Sequence, residues 1–99
     1  MKKLLLITAL AALTPMIAQA GVLERACLRS DRGAAKSQLC GCIQNVADRT
    51  LSRGDQRVAA KFFKDPQRAQ DMRQSSNSSH EVFWKRYRAF GASAEQSCS

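Results

Sequence analysis

Along this chain the apolar residues recur at spacings of three and four, and no stretch alternates apolar with polar long enough for a strand. The pattern predicts helices. Val22, Leu23, Ala26 and Cys27 mark one face of a short helix over residues 21–29. Ser30-Asp31-Arg32-Gly33 reads as a turn, with Ser30 or Asp31 capping the next helix. Leu39, Ile43, Val46, Ala47, Thr50 and Leu51 form the stripe of that second helix over 34–51, leaving Ser37, Gln44, Asn45 and Asp48 outside.

Gly54 then suits a helix end and Asp55 a new cap. Val58, Ala59, Phe62 and Phe63 give a third helix its apolar face as far as Lys64. Asp65-Pro66 is a restart signal, since Asp caps well and Pro fits the first helical position. The short helix after it, to about Gln74, has only Ala69 and Met72 to bury. Ser75 to Ser79 form a polar loop, and Ser78 with Glu81 has the spacing of a capping box. A last helix to Phe90 or Gly91 carries the most apolar face, with Phe83, Tyr87, Phe90 and Ala94 in one stripe beside Trp84. The fold class expected is all-α, a small bundle of four to five short helices.

The first twenty residues stand apart from this scheme. Lys2 and Lys3 precede an apolar run from Leu4 to Leu13, and Ala18-Gln19-Ala20 has the A-x-A form of a cleavage site. We expect a signal peptide over 1–20 and a single helical domain over 21–99, placed in the periplasm or secreted. A chain that short has a thin core and usually needs staples. Four cysteines, Cys27, Cys40, Cys42 and Cys98, can supply them as disulfides in an oxidising compartment.

Cys40 and Cys42 lie one residue apart within the second helix, so at 100° per residue they project about 200° apart. Diverging Cβ vectors keep them from bonding each other while the helix is intact. Two pairings remain: Cys27 with Cys40 and Cys42 with Cys98, or Cys27 with Cys42 and Cys40 with Cys98. Loop closure is worth about 3 kcal/mol for the short loop and about 4 for the long one in either case. A competing reading makes Cys40-Gly41-Cys42 a redox-active pair in a thiol–disulfide protein.

Charge changes the picture next. Without Lys2 and Lys3, fourteen basic residues face eight acids, a net charge of about +6, and ten of the fourteen are arginine. Such a surface attracts anions, such as lipid headgroups or lipopolysaccharide. Lys85, Arg86 and Arg88 interleave with aromatics on the last helix and are the candidate anion-binding residues. Those aromatics are needed for the core, so nucleic-acid stacking is not expected. His80 is the one histidine and falls on the aromatic side of that helix. The acids are spread singly, no serine has a recognisable nucleophile context, and no glycine-rich phosphate cradle occurs. No enzyme activity, cofactor or metal is therefore expected.

Several stretches together resemble a group of small exported alphaproteobacterial proteins of unknown activity. They are Cys40-Gly41-Cys42-Ile43-Gln44, Val46-Ala47-Asp48, Gly54-Asp55-Gln56-Arg57, Phe62-Phe63-Lys64-Asp65-Pro66, His80-Glu81-Val82-Phe83-Trp84 and Ala94-Glu95-Gln96-Ser97-Cys98. Some similar sequences are labelled arginine transporters. The resemblance implies at most an accessory part in amino-acid transport or envelope stress, because residues 21–99 offer no spanning segment for a translocation path. The expectation is thus a binding or structural module whose partner is an envelope protein or an anionic surface.

Overall fold

The computed structural model describes residues 21–30 and 36–98; the expected signal peptide and the turn at 31–33 lie outside them. Five helices succeed one another in order: α1 (Val22–Arg29), α2 (Ser37–Thr50), α3 (Arg53–Lys64), α4 (Gln67–Arg73) and α5 (Ser78–Cys98). No strand occurs among the described residues. The all-α bundle expected from the apolar spacing is the fold observed.

The core collects the stripes of four helices. Leu23 from α1, Val46 and Ala47 from α2, Leu51 after it, Ala59 from α3 and Phe90 from α5 are buried together. Around them pack Ile43, Ala60, Phe63, Tyr87 and Ala94. A second cluster joins α3 to α5 through rings. Phe62 meets Phe83 and Tyr87 edge-on, with centroids 6.1 Å and 5.2 Å apart, and Tyr87 in turn contacts Trp84 and Phe90. Edge-on packing of this kind adds to simple area burial. α4 contributes little, and none of its residues is fully buried.

Two disulfides tie this small core. Cys27 bonds Cys40 and Cys42 bonds Cys98, with Cα–Cα distances of 5.6 Å and 5.8 Å. The first of the two open pairings is the one adopted. α2 therefore sends one sulfur to α1 and the other to the end of α5, from opposite flanks. Cys27 and Cys40 are buried, whereas Cys42 and Cys98 are half-buried.

Four local expectations need correction. α2 begins at Ser37 behind Lys36, which makes no side-chain cap bond, rather than behind a Ser30 or Asp31 cap; Ser30 instead ends α1. Gly54 and Asp55 do not separate α2 from α3; both belong to the first turn of α3. Ser52 is the cap, its Oγ accepting the Asp55 N–H at 3.1 Å. Asp55 is thereby freed to reach sideways to another helix. At α5 the capping side chain is Asn77 rather than Ser78, with Asn77 Oδ1 accepting the Ser79 N–H at 2.8 Å. The last correction is length. α5 continues past Gly91 to Cys98, because Ala92, Ala94, Glu95 and Gln96 favour helix and the Cys42 bond holds its end.

Asp65 acts as the expected cap, whereas Pro66, expected at the first helical position, immediately precedes α4. Asp65 Oδ1 accepts the Gln67 N–H at 3.2 Å and starts α4.

Candidate anion-binding surface

Every Lys and Arg among the described residues is exposed. The three cations expected to act together, Lys85, Arg86 and Arg88, do not form one patch. Lys85 and Arg88 point away from the core on α5. Arg86 lies on the flank facing α3, where it donates to both oxygens of Asp55, Nε to Oδ2 at 2.6 Å and Nη2 to Oδ1 at 3.0 Å. This bidentate hydrogen bond raises the Arg86 pKa above its ordinary value. Asp55 is mostly covered while Arg86 stays about half exposed, so the pair pins α5 to α3 and removes Arg86 from easy use by a ligand.

A stronger concentration of positive charge forms where α1 meets α3. The floor of a cleft of about 510 Å³ is made by Val22, Ala26, Ala60 and Phe63, all half-buried. Arg25 and Arg29 border it on the α1 side, Lys61 and Lys64 on the α3 side, and no acid among the described residues lines it. On α3 the row extends backwards through Arg57 to Arg53, so residues 53, 57, 61 and 64 follow one helical stripe for about 16 Å. Arg53 and Arg57 border a neighbouring cleft that shares Val22 and Arg25 with the first.

That neighbouring cleft contains the buried polar network of the molecule. Gln44, expected outside the stripe of α2, is buried instead, as is Gln56. Gln44 Oε1 accepts the Glu24 N–H at 2.8 Å, satisfying one of the orphan donors at the start of α1. Its Nε2 donates to Asp48 Oδ1 and to Gln56 Oε1, both at 2.8 Å. Gln56 Nε2 in turn lies 3.3 Å from the carbonyls of Ala47 and Leu51, at the end of α2. Each glutamine thus caps a helix other than its own. Among the described residues no buried side-chain nitrogen or oxygen lacks a partner.

Gly21 makes this arrangement possible. A Cβ there would sit 2.2 Å from Gln44 Cδ, so only glycine lets the carboxamide reach under the start of α1. Polar residues count as solvent-facing in a periodicity reading, which is why such a reading passes over Gln44. Gly21 gives the only signal, as a glycine immediately before a helical stripe.

His80 and Ser75 form a separate pair, Ser75 Oγ lying 2.8 Å from His80 Nδ1. The same oxygen accepts the Asn77 N–H at 3.1 Å. With Asn77 capping α5, these contacts knit the turn between α4 and α5. The histidine does edge the aromatic cluster, lining a small cleft with Phe62, Val58 and Met72.

Cys40 and Cys42, the pair in the competing redox reading, are bonded to different partners, and no free thiol occurs among the described residues. No cluster of His, Cys, Asp or Glu suited to a metal ion is found among those residues either, and no helix among them is long and apolar enough to cross a membrane. Comparison with protein-family models, with curated proteins and with solved structures finds no match for this chain.

Proposed function

We propose that this chain is an exported, disulfide-stapled helical binding module that meets a negatively charged partner and has no catalytic role. One observation carries the reading: the cations among the described residues are all exposed, and four of them frame the apolar floor of the α1–α3 cleft. A surface kept positive only for solubility would scatter its charge and leave the apolar residues covered. The A-x-A signature before Gly21 and the two disulfides support export to the periplasm or beyond.

The test compares two charge reversals of equal size. Lys61→Glu with Lys64→Glu acts at the cleft, and Lys85→Glu with Arg88→Glu acts on the outer face of α5. Each protein is titrated, over a salt series, against phosphatidylglycerol vesicles, lipopolysaccharide and an acidic peptide. The expected result is salt-sensitive binding to at least one anion, weakened more by the cleft pair than by the α5 pair. Equal weakening by the two pairs, or no binding to any probe, overturns the reading.

A further inference from the structure

The shape of the α1–α3 cleft narrows the class of partner. We propose that it takes an acidic amphipathic helix from a partner protein, an inference that rests on the binding role above.

Three observations point there. The apolar strip is recessed: Val22, Ala26, Ala60 and Phe63 are half-buried between exposed cations. A flat bilayer surface meets protruding apolar side chains, whereas a recessed strip needs a partner with a ridge. The positive charge is also distributed along the strip rather than gathered at one end. α1 and α3 run in the same direction here, since Val22 and Arg25 border Arg53 and Arg57, and Ser30 borders Lys64 at the far end. Arg25 and Arg29, one turn apart on α1, therefore face Lys61 and Lys64 across the apolar strip. The α3 row continues through Arg57 and Arg53 into the neighbouring cleft, which Glu24 and Asp48 also line. A single-chain lipid carries its charge at one end and cannot meet both rows along their length.

The third observation is the repeat. Cations four or three residues apart on α3 match the rise of a helix whose acids recur at the same spacing. A helix laid in the cleft would place its apolar stripe on the floor, with acids along both edges of the stripe reaching the two rows. This is the helix-in-groove mode of recognition, with charge setting orientation and encounter rate.

The probe is a synthetic peptide helix of about three turns, leucines in one stripe and glutamates on both edges. A scrambled peptide of the same composition, phosphatidylglycerol vesicles and lysophosphatidylglycerol serve as competitors. By fluorescence anisotropy the ordered peptide should bind at least tenfold more tightly than the scrambled one. Lys61→Glu with Lys64→Glu should weaken it about tenfold or more, and Ala26→Gln, which raises the floor without touching a charge, several-fold. Lys85→Glu with Arg88→Glu should leave it unchanged. Circular dichroism melting checks that each variant is folded.

Equal binding of the two peptides, or indifference to Ala26→Gln, overturns the helix assignment. Binding to vesicles or lysolipid alone, weakened by the Lys61 and Lys64 changes, also overturns it while leaving the wider anion-binding role standing. Failure of every probe sinks both.

Discussion

The two sides of α2 are held by different means. On one side α1 joins through the buried Cys27–Cys40 bond, small apolar residues and the Gln44–Gln56 network. On the other, α5 joins through Phe90, Ala94 and the half-buried Cys42–Cys98 bond, while its Phe83 and Tyr87 rings pack on Phe62 of α3. Length explains the contrast. α1 has 8 residues, so most of its backbone donors and acceptors lie in its end turns, without partners inside the helix. It needs polar groups brought from elsewhere. α5 has 21 residues and satisfies its own backbone, which leaves its side chains to supply apolar area.

This contrast can be broken most severely at the disulfides. Replacing Cys42 and Cys98 by Ala opens a loop with a sequence separation of 56 and should cost about 4 kcal/mol in urea unfolding. Replacing Cys27 and Cys40 opens one of 13 and should cost about 3 kcal/mol. The reverse order would show that burial, rather than the length of chain enclosed, decides what each bond is worth.

Next in size is the polar seam. Gln44→Leu keeps the volume but leaves the Glu24 N–H and Gln56 Oε1 without their partner, and a loss of about 1–3 kcal/mol is expected by denaturant titration. Gly21→Ala forces the Gln44 carboxamide out of the same position and should fall in the same range. If both variants melt like the parent, the network is not what holds α1. A gain is expected at Gly41, where an added Cβ meets only Glu24 Oε2 at 3.6 Å, an ordinary contact. Gly41→Ala should stabilise by about 0.5–1 kcal/mol through helix propensity.

The smallest effect sharpens the aromatic side. Burial raises the pKa of Tyr87, so the folded chain holds that phenolic proton more tightly than the unfolded one. Its contribution is complete below the unfolded value of about 10 and is lost as the pH climbs above it. Melting temperatures measured from neutral to strongly alkaline pH should fall above that point, and Tyr87→Phe should flatten the fall. An unchanged slope in the variant would place the alkaline loss elsewhere.

How much of the molecule is legible in its sequence divides along the same line. The aromatic side is legible: Phe83, Tyr87 and Phe90 recur at helical spacing, and the pattern needs no knowledge of a partner helix. The polar side is not. Gln44 and Gln56 are buried because two other helices end where their amides lie, and that meeting is invisible to the periodicity of one segment. Asp55 likewise has the sequence context of a cap, and its real partner, Arg86, is on another helix. The basic cleft is hidden for the same reason. Lys85, Arg86 and Arg88 stand out because they are neighbours in sequence, whereas Arg25 and Arg29 meet Lys61 and Lys64 only through folding.

The Cys40-Gly41-Cys42 stretch is strict in one respect and lenient in another. Side chains at Gly41 can change at little cost, but the number of residues there cannot. Inserting one would turn Cys42 through about 100° relative to Cys40, and deleting Gly41 would do the same in the opposite sense. Either change would aim one sulfur away from its partner while leaving the composition of the helix almost untouched. Chains descended from this one can therefore drift in letters at that point, but a single-codon insertion or deletion would undo the register that its two crosslinks share.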